Sequence, residues 1–182
     1  VRVGVIGTGN RGTSHVSNLL SIDGTEIVAV CDITESKAKN AASICSDRGR
    51  KPPVVYSGDK IVYRKMLDRE ELDAVIIATY WDSHASIALD AMTRGMYPGI
   101  EVPAAITVDD TWKLVETSEK TRVPCMMLEN WSFRQDNLAL LIMKRLGMLG
   151  EIVHCHCAHS HDCIDHWFFD SETGEQRWPA EY

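Results

Sequence analysis

Short apolar runs alternate with longer amphipathic stretches along this chain. Runs at 1–6 (VRVGVI), 26–31 (EIVAVC), 54–56, 72–79 (LDAVIIAT), 97–102 and 123–129 read as six buried strands. Helical spacing fills 11–20, 34–45, 63–67, 83–94 and 108–121 between them. In the first helix Val16, Leu19 and Leu20 are candidates for the buried side. In the last, Trp112 and Val115 lie three positions apart and mark its apolar stripe. Thr34 is an N-cap candidate, Gly95 suits the position just past a helix end, and 48–53 is a basic loop with Gly and Pro. Strands alternating with helices at about 25-residue intervals predict an α/β fold, a doubly wound parallel sheet of Rossmann type.

The pattern changes after residue 130. A helix over 135–146, a turn bracketed by Gly147 and Gly150, and an alternating strand over 151–161 (EIVHCHCAHSH) follow. This predicts a nucleotide-binding domain at 1–130. Residues 131–182 are then the beginning of a second, α+β domain with an open sheet, whose remainder lies outside the chain. Charge changes at the same place. The net charge is −7, and residues 151–182 carry seven acids against one base, Arg177, so the first 150 residues are near neutral.

The composition, 45% hydrophobic and 25% charged over 182 residues, is that of an ordinary globular protein. A negative balance argues against a nucleic-acid surface. No apolar run approaches the roughly 18 residues of a membrane span. The first strand pattern begins at Val1 with no leader in front of it, which leaves the compartment open between cytoplasm and export. The six cysteines form no C-x-x-C pair and do not suggest a disulfide framework; Cys31 and Cys125 sit in apolar runs as buried thiols.

The first strand ends in Gly7-Thr8-Gly9-Asn10-Arg11-Gly12, a G-x-G-x-x-G turn that opens a helix. In such a turn Gly7 permits the tight bend, Gly9 admits a pyrophosphate to the backbone, and Gly12 lets the helix pack closely on the strand. The helix start supplies free N–H groups and partial positive charge. Asp32 ends the second strand, 20 residues after Gly12. A carboxylate there accepts from a ribose 2′-hydroxyl and repels a 2′-phosphate, so the expected cofactor is NAD rather than NADP, with Glu35 adding negative charge nearby. Thr79, Trp81 and His84, at and after the end of the fourth strand, fall on the same rim and are cofactor-contact candidates. A helix-cap aromatic is the plainer alternative for Trp81.

These residues, taken with Glu101-Val102-Pro103 and Glu129-Asn130, resemble the Gfo/Idh/MocA family of nicotinamide-dependent sugar oxidoreductases. Trp81 with His84, Glu101-Val102, Glu129-Asn130, and Gly150-Glu151 leading to His161-Asp162 are similar to its NAD-dependent glycosidase branch, glycoside hydrolase family 109. Ordinary dehydrogenases of the family carry Glu-Lys-Pro where this chain has Glu101-Val102-Pro103, and valine cannot exchange a proton. The chain departs from the branch in having His159 where the branch has tyrosine, and Arg177-Trp178 where it has Trp-Arg.

The resemblance implies a redox-neutral hydrolysis. NAD oxidises the sugar C3 hydroxyl, a base removes the acidified C2 proton, the C1 group leaves, water adds, and the hydride returns. The alternatives are a conventional NAD-dependent sugar or polyol dehydrogenase, and a dinucleotide-binding fragment without activity of its own. Under the resemblance Glu101, Val102 and Asn130 join the cofactor contacts. Glu129, at a strand end, contacts sugar or nicotinamide ribose, or is simply solvated there. His161, and after it His159, are candidates for substrate contact or proton transfer.

Residues 154–166 hold five of the seven histidines and three of the six cysteines. Strand spacing of about 7 Å between alternate residues and the lack of a C-x-x-C knuckle disfavour a structural metal site, and no metal is expected. Family members dimerise through the second-domain sheet, so a homo-oligomer acting on a sugar or glycoside is the implied assembly.

Overall fold

The structure is a computed structural model that describes residues 1–158 together with 160, 169 and 174. The chain divides into two compact units, Val1–Glu129 and Asn130–Tyr182.

The first unit is built on six parallel strands in the order β3-β2-β1-β4-β5-β6. They are β1 Arg2–Ile6, β2 Glu26–Asp32, β3 Val54–Ser57, β4 Ala74–Ile77, β5 Tyr97–Ile100 and β6 Met126–Met127. The connecting helices are α1 Asn10–Leu19, α2 Glu35–Asp47, α3 Val62–Arg69, α4 Trp81–Thr93 and α5 Val108–Thr121. Successive strands step outward from β1 in one direction and then, from β4, in the other. That reversal between β1 and β4 is the point at which open α/β sheets bind ligands.

Two cores flank the sheet, as its near-continuous apolar strands require. On one face Val5, Val30 and Ile27 meet Val16 of α1 and Ala41 and Cys45 of α2. On the other, Ile77 and Ile100 meet Met66 of α3, Ile87 and Met92 of α4, and Leu114 of α5. The register sets Ile6 beside Cys31 and Ile77, and Ile77 beside Ile100. This buried row sits directly beneath the carboxyl ends of the strands. Burial pushes the Cys31 thiol up to about 12, with the Asp32 charge adding to the effect, so this thiol is a core side chain and not a nucleophile.

Three expectations change. On α5 the side chain that packs inward is Leu114, while Trp112 is 61% and Val115 43% exposed. A three-residue spacing defines a stripe but not which way it faces. β6 is two residues long where seven were expected, because an edge strand pairs only where its neighbour β5 offers partners. Residues 151–158 form no strand; a period-two pattern becomes one only when a ladder partner takes its N–H and C=O groups.

In the second unit a 3-10 turn, Asn130–Phe133, precedes α6, Gln135–Arg145. No side chain of α6 is buried, and Leu138, Leu140, Leu141 and Ile142 are all exposed. No helix of the described residues is long and apolar enough to cross a membrane.

Candidate functional site: a dinucleotide cradle on the strand ends

The turn after β1 is forced by packing at two of its glycines and free at the third. Gly7 has φ of 83°, and a Cβ there would lie 2.5 Å from the Ala78 carbonyl oxygen across the β1/β4 switch point. A Cβ on Gly12 would lie 1.9 Å from the Gly7 carbonyl oxygen, so α1 can cross the turn only with glycine there. Gly9 is different. A Cβ on it would meet no atom within 4 Å, and its φ of −67° suits any residue. The protein's own packing does not call for glycine at that position. A ligand approaching the backbone would. Gly9 is also the N-cap of α1 and gives no side-chain cap, and the first turn holds no acid. The leading N–H groups are therefore offered outward, as an anion such as a pyrophosphate requires.

Asp32 is tied into the same turn. Thr8 donates its backbone N–H (2.7 Å) and its hydroxyl (3.2 Å) to Asp32 Oδ2, and the Thr34 N–H donates to Oδ1 at 2.8 Å. Thr34 is the N-cap residue of α2 as expected, but its side chain makes no cap bond. A carboxylate oxygen can accept about two hydrogen bonds, so Oδ1 keeps capacity for a ribose hydroxyl while the carboxylate is held in place. Asp32 is half-buried at the end of β2.

Beyond the switch point the rim is made by side chains from distant parts of the chain. Glu101, immediately after β5, is 7% exposed. Its Oε1 accepts from Arg11 Nε at 2.6 Å and lies 2.6 Å from His15 Nε2. Burial pushes the Glu101 carboxyl up, but hydrogen bonds from His15 and Arg11 and their charges outweigh it and hold it below its ordinary value. The ring of His84, on α4, is 1% exposed. Its Nδ1 lies 2.7 Å from the Pro103 carbonyl oxygen and its Nε2 3.0 Å from that of Thr79. Carbonyls only accept, so the ring N–H is the donor whichever nitrogen carries it.

The structure thus gathers Gly7, Thr8, Gly9, Asn10, Arg11, Gly12, Asp32, Thr79, Glu101 and Val102 on one rim of the first unit. Trp81 is the first residue of α4 and half-buried. His84, expected among the cofactor contacts, is buried with its ring between two backbone carbonyls of its own chain. Glu129 is half-buried at the end of the first unit, past β6, and Asn130 opens the second unit. His159 and His161 lie outside the described residues. Sequence reasoning missed His15. The available signal was its place one helical turn after Arg11, which puts both on one face of α1.

A glycine turn that packing only partly explains, a fixed carboxylate at the end of β2 and the β1/β4 reversal define a doubly wound dinucleotide-binding domain. More specifically, the chain belongs to the Gfo/Idh/MocA oxidoreductase family, whose NAD-binding Rossmann fold matches residues 1–129. It is 41% identical over 182 residues, its whole length and 38% of the relative's, to glycosyl hydrolase family 109 protein 2 of Akkermansia muciniphila. It is 40% identical over 162 residues, 89% of the chain and 35% of the relative, to an α-N-acetylgalactosaminidase of Shewanella oneidensis. Among solved structures, myo-inositol dehydrogenase from Lactobacillus casei in complex with NAD(H) and myo-inositol matches with a TM-score of 0.72 at 27% identity, over 82% of this chain and 42% of that one. The chain spans 35–39% of the length of the curated relatives it matches.

Proposed function

We propose that this chain is the NAD-binding part of a glycosidase that ends each turnover with its cofactor unchanged. The observation that carries the reading is Val102. It stands between the buried Glu101 and Pro103 on the rim, where ordinary dehydrogenases of the family have a lysine, and its side chain can neither take nor give a proton. The names of the relatives at about 40% identity support the same reading. Bound NAD would supply a hydride acceptor that later returns the hydride. The chain's own residues would do the holding. The N–H groups at the start of α1 meet the pyrophosphate, Asp32 accepts from the adenosine ribose, and Glu129 contacts sugar or nicotinamide ribose. The second unit is assigned to substrate and subunit contacts. The exposed Leu138, Leu140, Leu141 and Ile142 of α6 support an apolar partner there.

The test is incubation of the protein with p-nitrophenyl N-acetylgalactosaminide, with and without NAD. Nitrophenol release that depends on NAD and leaves no NADH behind is the expected outcome. Steady NADH accumulation with a free sugar or polyol would overturn it in favour of a dehydrogenase, the activity named for the inositol-binding structural relative.

A further inference from the structure

We propose that His15 and His84 are positioning residues that brace the 101–103 segment and, through it, place the nicotinamide half of the cofactor. The proposal rests on the NAD-binding part of the reading above and not on which reaction follows.

The strand order gives the direction. Asp32 ends β2, on one side of β1, and marks the adenosine ribose; the glycine turn on β1 takes the pyrophosphate. A dinucleotide crossing the switch point must lay its second nucleoside over the ends of β4 and β5, where Thr79 and Glu101 emerge. Val102 offers this half of the site no hydrogen bond or charge from its side chain, so the position of its segment is set by its neighbours. They are held from two helices. His15 and Arg11 of α1 meet the carboxylate of Glu101 at 2.6 Å each. His84 of α4 reaches Pro103 at 2.7 Å and Thr79 at 3.0 Å. One ring thus packs between the carbonyls at the ends of β4 and β5 and donates its N–H to one of them, and the other ring ties the end of β5 to the pyrophosphate helix. Neither histidine has to touch the ligand. His84 is buried with each ring nitrogen facing a backbone carbonyl, while the His15 side chain is 17% exposed.

The test compares two ligands on the same protein by calorimetric titration: NAD, and ADP-ribose, which lacks the nicotinamide. The wild type should bind both. His84→Ala and His15→Ala should each weaken NAD by about tenfold, which is 1.4 kcal/mol, and leave ADP-ribose within about twofold. His15→Gln keeps a donor where Nε2 stood and should restore the NAD affinity. His84→Asn keeps a donor near Nδ1, toward Pro103, and should hold the NAD to ADP-ribose ratio better than His84→Gln, which keeps only the donor toward Thr79. Should His84→Ala fail to fold, the two amide variants still decide the matter. Equal loss of both ligands, or no rescue by any amide, would overturn the brace and leave the histidines as general supports of the fold. Failure of the wild type to bind either ligand would instead overturn the cofactor assignment.

Discussion

The two halves of the strand-end rim are built in different ways. On the β1–β2 side the site is backbone: a bend, a helix start and one carboxylate fixed by neighbouring N–H groups. On the β4–β5 side it is side chains from separate helices, converging on a short segment that carries no polar side chain at Val102. The first half works by shape. What it needs is the absence of atoms, at Gly7 and Gly12 for packing and, under the proposed function, at Gly9 for a ligand. The second half works by ties between Glu101, Arg11, His15 and His84. A shape is broken by adding a methyl group, whereas a tie is broken by removing a donor.

Gly12→Ala should have the largest effect. Its methyl carbon would fall 1.9 Å from the Gly7 carbonyl oxygen, so α1 or the turn must move. Overpacking against rigid backbone places the loss at about 3 kcal/mol or more, seen as a lower denaturation midpoint together with loss of NAD binding. Gly9→Ala separates the two consequences. Its methyl meets nothing in the protein, so the midpoint should stay within about 0.5 kcal/mol of the wild type while NAD affinity collapses. A Gly9→Ala protein that binds NAD normally would remove the pyrophosphate from this turn.

Asp32→Ala comes next. Losing a hydrogen bond to a charged group costs about 1.5–3 kcal/mol, or roughly 10- to 150-fold in NAD affinity. NADP should lose far less, since the repulsion of its 2′-phosphate disappears as well. Equal weakening of the two dinucleotides would mean that Asp32 supports the turn through Thr8 and Thr34 and does not read the ribose.

The backbone half was legible in the sequence because its parts are close together. Gly7, Gly9, Gly12 and Asp32 fall within two strands and one helix, and each residue type has a stated geometric reason. All six strands and the five helices of the first unit were legible from periodicity, since the strands are apolar runs covered on both faces and the helices bury one side against the cores. The tied half was not. Glu101 meets residues 90 and 86 positions away, and no local pattern couples them. His84 was expected on the rim as a cofactor contact, and only the fold shows its ring buried beside Thr79 and Pro103. The orientation of α5 failed for a related reason. Trp112 is larger than Leu114, yet Leu114 is the one buried while Trp112 stays exposed, and size does not choose the buried side. Residues 151–158 carry a period-two pattern that no described residue pairs with.

The smallest effect separates the halves by pH. Glu101 has an ordinary carboxyl pKa of 4.5 and is held below it in the folded protein, because the hydrogen bonds from His15 and Arg11 outweigh its burial. A carboxyl depressed on folding contributes stability that is fully present above the ordinary value and is lost as pH falls through the folded one. The tie of β5 to α1 should therefore weaken on acidification below about 4.5, while the fit of Gly12 against Gly7 involves no titrating group. The measurement is the urea midpoint of the wild type and of Glu101→Gln between pH 7 and pH 3. Exposed carboxylates titrate alike in both proteins and cancel in the difference. At pH 7 the wild type should be the more stable, and the gap should narrow as pH falls through the folded value of Glu101. A gap that stays constant would show that Glu101 holds α1 by hydrogen-bond shape rather than by charge, and the two halves of the rim would then differ less than their chemistry suggests.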